Sequence, residues 1–478
     1  MIRFALMIFR MCMVALGVAG AMAVQPLGLA PLDQEQPAQR RVSLIVSGGT
    51  VVTVDPAGRI LNPGAVAIDG RDIIAIDTPE AIAARFTSAE QIDATGQVVM
   101  PGLINTHTHA PMVLYRGLAD DLALMEWLEK YIFPAEASTV SPEFVRVGTR
   151  LATLEMIQSG TTTYADMYYF EEEIATATKE AGLRGVLGQT IIQFPVADAR
   201  TPAQALARAE AFIRQWKSDD LIVPALAPHA MYTLDAHTLK AVRALADREG
   251  VPVLIHLAET ADEVKTSQER HKQSPTQYLE SLGFWGPRTL AAHAVWLTDE
   301  DIETLRRRGV GVAHNPESNM KLASGTARVV EMRAAGIPTG LGTDGAASNN
   351  NLDMFEAMRI AAFLAKHATR DPRVIPARTA VEMATIEGAR ALGMADAIGS
   401  LEPGKRADII VVSMASARQT PMYDPLSHLV YTTRGDDVRT TIVNGRVLMR
   451  DRTVLTLDER SVIADALAQA VRVREAVR

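Results

Sequence analysis

Eight short strand-like runs recur through the middle of the chain, at residues 98–104, 161–165, 183–192, 221–227, 251–255, 289–292, 310–313 and 337–341, with helical patterns or loops between them. Eight strands alternating with helices is the count of a (β/α)8 barrel. Helix starts punctuate the pattern. Ser141-Pro142-Glu143 offers an N-cap followed by proline at the first helical position, and Phe144, Val147, Leu151, Leu154 and Ile157 then lead to Gly160. Similar starts occur at Thr201-Pro202 and Thr298-Asp299-Glu300.

The segments on either side differ in texture. Residues 43–99 hold short β-branched runs separated by Gly-Gly, Asp-Pro, Asn-Pro-Gly and Asp-Gly turns, and the same texture returns after Gly399. The two ends can therefore pair into one small β domain around everything between them. The organisation expected is an α/β chain: a (β/α)8 TIM barrel over residues 101–399, and a β-sandwich made of residues 41–100 and 400–478, the latter ending in a helix.

Two arginines in residues 1–10, an apolar stretch over 11–20 and Ala21-Met22-Ala23 match a secretory signal peptide, cleaved near Ala23. The apolar stretch is short for a bilayer span of about 20 residues, so no stable membrane insertion is expected after cleavage. Residues 24–40, rich in Pro, Gln and Ala, read as a flexible lead-in, and the mature chain as periplasmic or secreted. Lys and Arg total 48 against 56 Asp and Glu, a net charge of −8 with no basic stripe, which argues against nucleic acid as a partner. A homo-oligomer stays open.

Cys12 is the only cysteine, so a metal in this chain would have to be held by imidazole and carboxylate. The polar residues that could do so share one place in the pattern. At or just beyond the ends of the strand-like runs come His107 and His109, Asp166, Gln189, His229, His256, His293, Asn315 and Asp344. In a barrel these ends open onto one mouth. His107 and His109 stand i, i+2, which on a strand points both rings to one face. A catalytic divalent ion wants about three or four protein ligands and an open position. His107, His109, His256 and Asp344 are assigned as ligands, leaving His293 to orient the nucleophile. For Asp166 and Gln189 a structural hydrogen bond is the better reading. Glu259, three residues past His256, can shuttle a proton beside the metal.

The stretches Pro101-Gly-Leu-Ile-Asn-Thr-His-Thr-His-Ala-Pro111, Ala227-Pro-His-Ala-Met-Tyr-Thr233, His256-Leu-Ala-Glu-Thr260, Ala292-His-Ala-Val295, the run from Ala313 to Gly325 and Gly340-Leu-Gly-Thr-Asp-Gly345 resemble the amidohydrolase superfamily. Within it they look like the 5'-methylthioadenosine/S-adenosylhomocysteine deaminase group. Leu401-Glu-Pro-Gly-Lys-Arg-Ala-Asp-Ile409 is similar to the superfamily's returning β domain, and the resemblance covers residues 43–460.

The resemblance implies hydrolytic deamination of an adenine nucleoside, with one divalent ion, zinc or alternatively iron, on His107, His109, His256 and Asp344. It implies that Glu259 protonates the ring nitrogen, Asp344 accepts the water's proton, and His293 steadies the tetrahedral intermediate. His229 would hydrogen-bond the substrate and Glu136 would hold ribose hydroxyls. Some relatives grip a homocysteine carboxylate with arginines near the third strand, where Arg184 and Arg200 are the nearby residues here. The alternatives are hydrolysis of another aminated heterocycle, such as guanine or an s-triazine, and a barrel serving as a non-catalytic assembly protein.

Overall fold

The computed structural model describes residues 39–476, so the expected signal peptide, Cys12 and almost all of the lead-in lie outside the described residues. Eight strands follow one another in the order of the chain, each parallel to the next: Leu103–Thr108, Thr161–Tyr168, Arg184–Ile191, Ile222–Pro228, Val253–Leu257, Thr289–His293, Gly311–His314 and Thr339–Leu341. The second and third are buried along their whole length, as strands sandwiched between side chains of the barrel interior and covering helices must be.

No backbone ladder joins the last strand to the first among the described residues. Side chains bridge them. Thr106 Oγ1 donates to Leu341 O at 2.9 Å, Asn105 Nδ2 to Thr343 Oγ1 at 2.7 Å, and the Thr343 amide to Asn105 Oδ1 at 3.1 Å. One backbone bond, from Asp344 N to His107 O at 2.9 Å, completes the seam beside two of the candidate ligands. Gly342 permits this approach, because a Cβ there would lie 2.4 Å from Asn315 Oδ1 and 2.9 Å from His107 N.

The helix after the first strand forms where its signals place it. Pro142–Ser159 starts with Ser141 Oγ accepting the Phe144 amide at 3.2 Å and ends at Gly160 in the left-handed region, φ 88°. Phe144, Leu154 and Ile157 are buried, while Val147 and Leu151 are half-buried. Thr201 and Thr298 likewise cap Pro202–Trp216 and Asp299–Arg308.

The run at residues 98–104 does not make one barrel strand. Gln97–Pro101 pairs antiparallel with Ile409–Ser413 in a separate sheet, and the barrel begins at Leu103. Gly102 sits at the crossing, where a Cβ would lie 2.1 Å from Thr162 Cγ2. Among the described residues, five strands from the N-terminal segment and four from the C-terminal segment form one nine-stranded sheet, with that antiparallel pair as its seam. Side chains alternate across it: Leu44, Val46, Val66 and Ile68 pack into one apolar cluster, and Ile45, Ala65 and Ala67 into another. Arg184, at the start of the third barrel strand, is buried against Asp408 of this sheet, Nε to Oδ2 3.2 Å. The chain closes with the helix Glu459–Ala476, which buries Val462, Ala466 and Val473 and bonds back through Asp465 to Arg150. No helix among the described residues is long and apolar enough to cross a membrane.

Candidate active site

The ends of the first, fifth, sixth and eighth strands bring five side chains together. The ligand atoms of His107, His109 and Asp344 all lie within 4.8 Å of one another, and so do those of His107, His256 and His293. Asp344 Oδ1 stands 3.5 Å from His107 Nε2 and 3.4 Å from His109 Nε2. The i, i+2 pair does share a face, its ring centroids 4.9 Å apart.

The outer nitrogens are fixed from behind. His109 Nδ1 meets Met167 O at 2.6 Å and His256 Nδ1 meets His229 O at 2.8 Å, so in each ring Nδ1 carries the proton and Nε2 presents a lone pair inward. His107 Nε2 is buried and has no hydrogen-bond partner. Burial pushes His107 down to about 4, keeping it neutral, and holds His109 and His256 below their ordinary value as well. Neutral imidazoles and an ionised carboxylate are a donor set for a divalent cation, and an orphaned Nε2 inside it fits one. Burial works to raise Asp344, but the imidazoles of His107, His293 and His109 outweigh it and hold the carboxyl well below the usual range. Its oxygens are pinned by the Gly345 amide, 2.7 Å from Oδ1, and by Ser318 Oγ, 2.6 Å from Oδ2.

His293 differs from the other imidazoles. Burial disfavours its charged form, yet Glu259 and Asp344 overcome this and raise it above the ordinary value. Its Nδ1 bonds Asn319 Oδ1 at 2.9 Å, and its Nε2 faces Glu259 Oε2 at 3.9 Å. Burial pushes Glu259 up against the pull of His293, with Asp344 adding to the rise. A carboxyl raised by burial and set beside an imidazole is suited to carrying a proton. Backbone strain gathers here: Ala258 (φ 47°), His293 (φ 71°), Ala294 (φ 48°) and Asp344 (φ 64°) all adopt the left-handed region.

A cavity opens over this cluster, with apolar walls that include Met112, Trp127, Leu128, Phe133 and Leu322. Glu136 and His229 line it too. Glu136 lies in the helix Phe133–Thr139, one turn beyond a π-helical stretch at Leu128–Ile132, and not in a solvated loop. It is buried, accepts from Tyr168 Oη at 2.7 Å, and is pushed by burial up to about 7. His229 is neutral, driven down to about 3 by burial, with Nδ1 3.2 Å from Thr233 Oγ1.

The other strand-end residues do structural work. Asp166 Oδ1 accepts the Ala110 amide at 2.5 Å, and Gln189 Nε2 donates to Asp198 Oδ2 at 2.8 Å. Asn315 Nδ2 lies behind His293, 3.3 Å from its Nδ1. Arg184 is at the opposite end of the barrel from the mouth, consumed by Asp408, and cannot reach a substrate. Arg200 is exposed and lines an adjoining cavity that shares Phe133, Glu136 and Tyr169 with the first. Sequence reasoning assigned no atoms to Ser318 and Asn319 and missed Tyr168 and Glu263. Glu263 carried one signal, its position three residues after the N-cap Thr260.

The amidohydrolase family model matches residues 98–448. Over 437 residues the chain is 46% identical to the 5-methylthioadenosine/S-adenosylhomocysteine deaminase 1 of Syntrophus aciditrophicus, covering 91% of this chain and 99% of that one. It is 46% identical over 425 residues to the 5'-deoxyadenosine deaminase of Methanosarcina mazei, covering 88% and 96%. In structure it is similar to an adenosine deaminase from Xanthomonas campestris with bound zinc: TM-score 0.90, 39% identity, 92% of this chain and 100% of the other.

Proposed function

The chain belongs to the amidohydrolase family, and from that premise we propose that it is a hydrolytic deaminase of adenine nucleosides, releasing the 6-amino group as ammonia. The observation that carries this reading is a pair of buried carboxyls in one apolar cavity, Glu259 beside the imidazole cluster and Glu136 on the facing helix. The names of the similar proteins, and the zinc bound in the adenosine deaminase structure, support it.

His107, His109, His256 and Asp344 would hold one divalent ion. Zinc suits nitrogen and oxygen donors, and when bound it lowers the pKa of water toward neutrality. Asp344 takes the proton of the attacking water through the oxygen that faces His107 and His109. Glu259 gives its proton to the ring nitrogen adjoining the amine-bearing carbon, so that carbon becomes tetrahedral without a full charge building on the ring. The raised His293 bonds the new hydroxyl and keeps it aimed at the carbon. The proton gathered by Asp344 then passes to the amine, the hydroxyl returns its proton to Glu259 as the carbonyl forms, the C–N bond breaks, and ammonia leaves. His229, neutral, hydrogen-bonds the substrate at the cavity wall. Glu136, ionised, accepts from the two vicinal ribose hydroxyls.

Chelator-treated protein should release no ammonia from adenosine, and added Zn2+ should restore release together with inosine. Undiminished release from protein shown by elemental analysis to be metal-free would overturn the proposed role of the ion. On sequence grounds residues 1–23 are read as an export signal. A mature chain beginning near Val24 would support that reading, and an unprocessed N-terminus on protein recovered from the periplasm would refute it.

A further inference from the structure

Two helices at the barrel mouth begin with the same device, and one of them uses it differently. At Thr298 the capping box is reciprocal: Thr298 Oγ1 accepts the Asp301 amide at 3.1 Å, and Asp301 Oδ2 accepts the Thr298 amide at 2.9 Å. At Thr260 the first half is present, with Thr260 Oγ1 accepting the Glu263 amide at 3.2 Å. The carboxylate of Glu263, however, reaches past Thr260. Its Oε1 accepts the Ala258 amide at 2.9 Å and its Oε2 the Glu259 amide at 2.8 Å.

Those two amides flank the Cα of Ala258, which is held at φ 47°, a region that residues with a Cβ avoid. The turn there carries the chain from His256 at the strand end to Glu259, and it sets where the Glu259 side chain enters the cavity. The Ala258 carbonyl is held as well, by the amides of Val295 and Trp296 at 3.2 and 3.0 Å. Glu263 is buried, and both its oxygens are committed to backbone donors.

We infer that Glu263 is a positioning residue for the proton carrier Glu259, its bidentate grip on the Ala258 and Glu259 amides fixing the strained turn that aims Glu259 between His293 Nε2, 3.9 Å from its Oε2, and Ser324 Oγ, which donates to its Oε1 at 3.5 Å. The inference rests on the proton-carrying role proposed for Glu259. Glutamine keeps the size of Glu263 but has a single acceptor oxygen, so one amide loses its partner and meets an NH2 group. Displacements of this kind near a reacting atom reduce turnover without loss of binding.

The test measures kcat, KM and metal content of the zinc-loaded protein on methylthioadenosine for Glu263→Gln, Glu259→Gln and the double variant. Glu263→Gln should lower kcat about ten- to a hundredfold with metal content unchanged and KM within about twofold. In the Glu259→Gln background it should lower kcat by less than about twofold further, because the group it aims is gone. Should Glu263→Gln not fold, Glu263→Asp keeps the charge with one methylene fewer and should show a partial kcat loss under the same non-additivity. Wild-type kcat with only a lower melting temperature, or an equal factor in both backgrounds, would reduce Glu263 to a helix cap and overturn the inference. Wild-type turnover by Glu259→Gln would instead remove the underlying role of Glu259.

Discussion

The barrel mouth and the nine-stranded end sheet are both buried, and they are built on opposite terms. In the sheet, Val46, Val66, Ile68, Val99, Ile409 and Val411 pack apolar side chains against one another, and positive φ falls on turn residues such as Gly70, Asn444 and Gly445. In the mouth the buried side chains are His107, His256, Glu259, His293 and Asp344, and positive φ falls on Ala258, His293, Ala294 and Asp344. Each such residue costs about 1–3 kcal/mol relative to relaxed backbone. Local preferences agree with the global fold in the sheet and conflict with it in the mouth, which is where function is expected to reside. Substitutions in the two regions should therefore fail differently.

Asp344→Asn should produce the largest effect, a fall in turnover of about 10³-fold or more, since an amide cannot collect the water's proton. Its melting temperature should stay near wild type, because the remaining oxygen still accepts the Gly345 amide and the Ser318 hydroxyl can turn to accept from the new NH2 group. Ammonia release with calorimetry on the same sample checks both. Wild-type turnover would break the contrast outright. Next comes Glu259→Gln, which should lower kcat at least about 100-fold with metal content unchanged. Metal loss instead would make Glu259 a ligand.

Glu136→Gln should be milder and selective, lowering kcat/KM for nucleosides about tenfold through loss of charge-assisted bonds to the ribose, and leaving adenine unaffected. Burial raises Glu136 to about 7, so nucleoside binding should weaken as pH falls through that value, and the substitution should flatten this limb. The stability consequence has the opposite sense. A carboxyl raised on folding stabilises the protein fully below its unfolded value, and that contribution is lost as pH rises through about 7. Glu136→Gln should accordingly lose less stability than wild type over that interval, as denaturant titrations at several pH values would reveal. The smallest effect on turnover should come from Ile409→Ala in the end sheet, which removes a fully buried side chain at a cost of about 2–5 kcal/mol. Its kcat per folded molecule should equal wild type, and a loss of kcat on the scale of Glu259→Gln would erase the distinction between the regions.

The eight strands and their polar ends were legible in the sequence, because short strand-like runs ending in His, Asp, Gln or Asn carry both the pattern and the chemistry. The first run misled at Gly102, where one apolar stretch serves two sheets: nothing in residues 98–104 marks the change of direction except a glycine whose need is set by Thr162, far along the chain. The helix that carries Glu136 is not legible, since a short helix, a π-helical stretch and Pro134 follow one another without a sustained helical period. The partners behind the site were not legible either. Ser318 on Asp344, Asn319 on His293, Tyr168 on Glu136 and Glu263 on the Ala258 turn are contacts made by packing, and three of the four join different strand ends.

The most direct measurement is the ratio of kcat/KM for adenosine to that for adenine on the wild-type, metal-loaded protein, followed by ammonia release. A nucleoside deaminase with Glu136 reading ribose gives a ratio of at least about ten, from charge-assisted bonds worth roughly 1.5–3 kcal/mol each, with methylthioadenosine also turned over. Adenine processed as well as adenosine, or ammonia released from guanine or an s-triazine and from no nucleoside, would contradict it.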